Sequence, residues 1–138
     1  MKKLEKVERE INDTLKQTFY ETKKTLDPLM KHLKFGDITI RWWIKPAREH
    51  GFTAGQCFKG DWMVRTKSAT GRKMRTHFKN LILLAKDYYQ SNGIEEIKKV
   101  FKHELLHLIA KDTHGSHFKH LAVACDTHRH CPARIIKS

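Results

Sequence analysis

Apolar positions in this chain fall into helical stretches at either end, separated by a block of strand-like spacing. From Lys3 to about Lys34, Leu4, Val7, Ile11, Leu15, Phe19, Leu26, Met30 and Leu33 recur near helical intervals, the period of a helix with one apolar face. Pro28 divides this stretch or opens a second helix after Asp27, since proline suits a first helical turn and breaks an interior one. After Gly36-Asp37, the run Ile38-Thr39-Ile40-Arg41-Trp42-Trp43-Ile44 reads as a strand ended by Pro46. Trp42 and Trp43 then point to opposite faces, and one of them enters the core. Gln56 to Arg65 holds one or two short strands around Gly60-Asp61. His77 to Leu84 is the strongest strand candidate, its apolar run Leu81-Ile82-Leu83-Leu84 bounded by Asn80 and Lys86. Helical spacing returns from Asn92 to Asp112 through Ile94, Ile97, Phe101, Leu105 and Leu108. Asn92 is the predicted N-cap, with Glu95 completing a capping-box start. A turn signal at Asp112 to Gly115 leads to a short second segment carrying Phe118, Leu121, Ala122 and Cys125.

A helix, three or four short strands and two further helices predict an α+β fold, with the helices against one face of a small, mostly antiparallel sheet. At 138 residues, a single domain spanning 1–138 can bury one core without staples. No apolar run approaches the roughly 18 residues of a membrane span. The start, Met1-Lys2-Lys3-Leu4-Glu5-Lys6, lacks the apolar centre of a signal peptide. Three cysteines, Cys57, Cys125 and Cys131, do not suggest a secreted disulfide framework. The expectation is an intracellular protein of the cytoplasm, nucleoid or nucleus, with no membrane partner.

Charge adds a partner. Lys and Arg outnumber Asp and Glu by 28 to 15, for a net charge of +13, and such an excess attracts polyanions. Between Lys59 and Lys79 the basic residues Lys59, Arg65, Lys67, Arg72, Lys73, Arg75 and Lys79 meet one acid, Asp61. Ser68-Ala69-Thr70-Gly71 in their midst reads as a mobile loop. DNA contact without sequence preference is expected through Arg65, Lys67, Arg72, Lys73, Arg75 and Lys79. Trp62 and Phe78 are expected in the core, with stacking on unpaired bases as the other possibility.

The chemistry lies in His103-Glu104-Leu105-Leu106-His107, an H-E-x-x-H on the second long helix. Histidines four residues apart sit about 6 Å apart along the helix axis and roughly 40° around it, so both imidazoles can reach one Zn²⁺. Glu104 can face a metal-bound water without ligating the ion. A third histidine, His114, would leave the fourth position open to water, whose pKa zinc lowers to about 7. Together these residues equip the chain for hydrolysis.

With His114-Gly115-Ser116-His117-Phe118 downstream, the chain resembles the SprT-like zinc metallopeptidases, the group that includes Spartan. Their motif is H-E-x-x-H, a variable connection, then H-G-x-x-F or H-G-x-x-W opening another helix. The resemblance implies a zincin-like core over 37–130 behind a helical region at 1–35. It implies Zn²⁺ on His103, His107 and His114, Glu104 as general base, and protein or peptide substrates near or bound to DNA. Gly115 would let the backbone turn tightly beside the metal, and Phe118 would anchor the following helix. A looser match, Ala54-Gly55-Gln56-Cys57, fits the Ala-Gly that family members often carry beside a short strand, and the likeness spans about Asp37 to Arg129. Position 117 is His where some relatives carry Glu, and the zinc ribbon often appended to the family is missing or vestigial.

Other readings fit less of the pattern. Metzincins need a glycine where Ala110 stands, and their third histidine comes one residue earlier. The YbeY-type endoribonucleases also use three histidines, but lack the glutamate and have a shorter segment. A nucleic-acid-binding protein with structural zinc and no protease activity would need a fourth ligand, from His117 or Cys57. His117 could otherwise assist proton transfer, while His120 belongs on the surface. The crowded Cys125-Asp126-Thr127-His128-Arg129-His130-Cys131 cannot easily close a tetrahedral site alone and reads as a polar tail.

Overall fold

The computed structural model describes residues 2–43, 53–67, 69–110, 114–130 and 132, with side chains except at 2–8, 43, 61–67 and 74–78. The N-terminal periodicity forms helix α1 (Lys2–Thr25), which buries Ile11, Leu15 and Phe19. Thr18 and Thr22 are buried beside them. Each hydroxyl donates to the carbonyl four residues back, to Thr14 at 2.9 Å and Thr18 at 2.8 Å, so neither is stranded in the core. Turns replace the helix over 26–32. Pro28 therefore divides the N-terminal stretch and starts no second helix, while Leu26 and Met30 reach the core from the turns.

A 3₁₀ turn (Phe35–Asp37) leads into three strands, β1 (Thr39–Trp43), β2 (Gly55–Lys67) and β3 (Lys73–Ala85), in the order β1-β3-β2. The longer ladder, β2 with β3, is antiparallel; β1 joins β3 in parallel, with Thr39 opposite Leu81. The apolar run 81–84 lies in the central strand, paired on both sides, and Ile82 and Leu84 are fully buried. The break expected at Gly60-Asp61 is a register irregularity within one strand, between Phe58 and Asp61. Gly60 takes φ 100° there. Asn80 bridges the gap, accepting from the Gly60 amide at 2.9 Å and donating to the Asp37 carbonyl at 3.0 Å.

Beyond that point β2 and β3 continue as a two-stranded arm, because β1 pairs only with 81–85. Trp42 packs on the core and meets Tyr89 edge-on, with ring centroids 6.2 Å apart. The Trp43 side chain, and Ile44, Pro46, His50 and Ser68, lie outside the described residues, as do the side chains of Trp62, His77 and Phe78.

Three helices follow, α2 (Lys86–Asn92), α3 (Ile94–Ile109) and α4 (Ser116–Ala124). The expected N-cap moves. Asn92 closes α2, its amide donating to the Tyr88 carbonyl at 3.0 Å, and Gly93 caps α3 without a side-chain bond. The two helices abut through one residue at φ 87°, a conformation that glycine adopts without steric cost. Glu95 pairs with Lys98 at 3.4 Å instead of closing a capping box. Helix α3 ends at Ile109, and residues 111–113 lie outside the description.

The α3 stripe Ile97, Phe101 and Leu105 is buried as patterned, but so are Val100, His103, Glu104 and Leu106. The sheet, α1, α2 and α4 all pack on this helix. Phe118, Leu121, Ala122 and Cys125 enter the same core. Among the described residues no helix is long and apolar enough to cross a membrane.

Candidate metal centre

Helix α3 presents His103 and His107 from successive turns, and the α3–α4 connection brings up His114. One ring nitrogen from each lies within 4.8 Å of the others. The Nε2 atoms of His103 and His114 are 3.1 Å apart, close to the roughly 3.3–3.4 Å that two nitrogens keep on one tetrahedral zinc with 2.0–2.1 Å bonds. The fully buried Phe118 ring lies against all three imidazoles, with centroids 4.9, 4.7 and 5.0 Å from His103, His107 and His114. Phe118 therefore anchors α4 and also gives the histidines an apolar wall. The tight backbone turn falls at His114, at φ 60°, a conformation costing about 1–2 kcal/mol for a residue with a Cβ. Gly115, expected to supply it, has an ordinary φ of −86°.

Burial sets the protonation of the cluster. It pushes His103 down to about 4, against a hydrogen bond that favours the charged ring. Burial and then His114 push His107 down to about 4; burial and then His130 lower His114. All three are neutral at pH 7, the state a metal requires. Glu104 is pushed the other way, up to about 8, by burial. Its Oε1 is 3.8 Å from His107 Nε2, and its buried Oε2 has no hydrogen-bond partner among the described residues.

An unpaired buried carboxyl oxygen costs free energy, and a cation beside it removes much of that cost. Neutral imidazoles with an orphaned carboxyl fit a divalent, nitrogen-seeking ion. Gly55 brings β2 against this point. A Cβ there would lie 2.7 Å from Val100 Cγ1 and 3.2 Å from Glu104 Cγ, so the looser Ala54-Gly55 match lies directly against α3.

Neither His117 nor Cys57 joins the cluster; among the described residues the group that could hold a metal is His103, His107 and His114. Cys57 is half-buried, and burial followed by the Glu104 charge pushes its thiol up to about 12. Three such ligands, if they are the whole set, would leave a coordination position open. His120 is exposed, as expected.

The residues after α4 are more than a polar tail. Thr127 and His128 bond back to α3, and the Pro132 carbonyl accepts from the Ala54 amide at 2.8 Å. Cys131 lies outside the description. The main-chain contact between the His128 carbonyl and His103 Nδ1, at 2.7 Å, has no side-chain signature that a sequence could reveal.

The basic residues gather elsewhere. Arg72 and Lys73 are exposed at the hairpin end, and Lys79 is exposed with its Nζ 3.7 Å from Asp37. Arg65, Lys67 and Arg75 occupy ladder positions in the arm, their side chains outside the description. The arm lies at the opposite end of β2 from Gly55.

A family model described as SprT-like family matches residues 10–137. Comparison with curated proteins and with solved structures gave no match.

Proposed function

This chain belongs to the SprT-like family, and on that premise we propose that it is a zinc-dependent metallopeptidase that hydrolyses peptide bonds in DNA-associated proteins. The observation that carries the reading is the buried Glu104 Oε2, without a partner among the described residues, on the helix that presents His103 and His107 beside His114. Zinc held by His103, His107 and His114 would supply a Lewis acid for a water and for the scissile carbonyl. Glu104, ionised beside the dication, accepts a proton from the attacking water and returns it to the leaving amine. Phe118 closes the apolar side of the site to solvent. An extended peptide lying across the site would place its scissile carbonyl at the three histidines and Glu104.

The arm supports the DNA link. Arg65 stands opposite Arg75 and Lys67 opposite Lys73, and like charges directly opposite destabilise a ladder. A phosphate backbone lying along these positions offsets that repulsion.

Hydrolysis of an unfolded protein by metal-loaded wild type and Glu104→Gln tests the proposal. The variant should keep its zinc and lose about 10²–10⁴-fold in rate. Activity within a few-fold of wild type would remove Glu104 from the chemistry. Intact protein with cleaved RNA would transfer the site to the ribonuclease reading.

A further inference from the structure

Residues 125–130 follow α4 and bond back to α3. Lys102 Nζ donates to the Cys125 carbonyl at 3.1 Å, and the Thr127 amide donates to the Ala122 carbonyl at 2.9 Å. The Thr127 hydroxyl donates to the Lys99 carbonyl. His128 Nε2 lies 3.1 Å from Glu96 Oε2. Glu96 is itself held by the Tyr88 hydroxyl at 3.3 Å and faces Lys99 Nζ at 3.8 Å. These bonds fix the main chain at 127–128 against α3, and there the His128 carbonyl meets His103 Nδ1 at 2.7 Å.

A carbonyl oxygen can only accept, so this bond requires the His103 proton on Nδ1 and leaves the Nε2 lone pair directed at the cluster. The ring nitrogen that faces His114 Nε2 at 3.1 Å is that same Nε2.

We infer that Thr127 and Glu96 are positioning residues for the metal site. They hold the 125–130 strap so that the His128 carbonyl selects the ligating tautomer and orientation of His103. The inference rests on the three-histidine metal site proposed above. Partners that orient a metal-ligating histidine are typically worth about 10–100-fold in metal affinity.

The test is cobalt(II) and zinc(II) binding to the full metal-free chain, with Thr127→Val, Thr127→Ser and Glu96→Gln, together with the visible spectrum of each cobalt form. Thr127→Val should bind both ions about 10–100-fold more weakly with an altered cobalt spectrum. Thr127→Ser, which keeps the hydroxyl, should return affinity and spectrum close to wild type. Glu96→Gln changes a half-exposed residue and should weaken binding about tenfold; it carries the test if Thr127→Val does not fold. A merely structural strap would lower the melting temperature of the metal-free variants while leaving the cobalt spectrum unchanged. That result, or equal affinities for the Val and Ser variants, overturns the inference alone. A wild-type chain that binds neither ion overturns the metal-site reading and this inference with it.

Discussion

At Gly55 an added methyl group would lie 2.7 Å from Val100 Cγ1 and 3.2 Å from Glu104 Cγ, so Gly55→Ala must push aside either β2 or the Val100 and Glu104 side chains. Overpacking of this kind costs about 1–3 kcal/mol. Denaturant unfolding should show that loss for Gly55→Ala and almost none for Gly36→Ala, where nothing lies within 4 Å. Equal midpoints for the two variants would mean that β2 gives way freely. At this scale the sequence was legible where function is local. His103, Glu104 and His107 declare themselves through helix spacing, and His114 through the His-Gly-x-x-Phe segment. Gly55 and the His128 carbonyl act through long-range approach of the backbone, and Phe118 acquires its second role only when three imidazoles converge on it.

Among the elements, the hairpin arm has the sharpest consequence. Replacing Arg72, Lys73 and Arg75 with Ala should weaken binding to unrelated DNA sequences about equally. Each phosphate that the variant no longer neutralises should flatten the salt slope by roughly 0.9 on duplex DNA. Zinc content should not move, since the arm and the histidines lie toward opposite ends of β2. Titrations at several salt concentrations measure this, and salt-insensitive binding would leave the charge without a DNA role. The apolar half of β3 and the buried stripes of α3 and α4 were legible because their periods are strong. The outer arm, where Lys67 pairs with Lys73 and Thr66 with Met74, reads only as a basic segment because it carries no apolar alternation. Helix α2 was not legible, because Tyr88 and Tyr89 carry no helical stripe of their own and the helix runs for only seven residues. Its unrecognised end also misplaced the cap of α3. Asn92 is a good capping residue, but the left-handed junction between abutting helices falls on Gly93.

For the whole molecule, the metal-free site makes stability depend on pH with two opposing slopes. His103 and His107 titrate near 4 when folded against an ordinary 6.5. The unfolded chain therefore binds more protons between those values, and this contribution is present above 6.5 and lost as pH falls through 4. Glu104 titrates near 8 against an ordinary 4.5, so its contribution is present below 4.5 and lost as pH rises through 8. Below pH 6.5 two histidines outweigh one carboxyl; above it Glu104 dominates. Unfolding midpoints of the metal-free wild type should fall relative to Glu104→Gln between pH 6.5 and 8, and parallel curves would contradict the buried carboxyl. The central claim, one catalytic metal on three histidines, is tested most directly by titrating zinc into metal-free protein while following peptide hydrolysis. Activity should rise from nothing to a plateau at one equivalent per chain and stay absent in His107→Ala. Hydrolysis without metal, or one zinc taken up with no hydrolysis, would contradict the account.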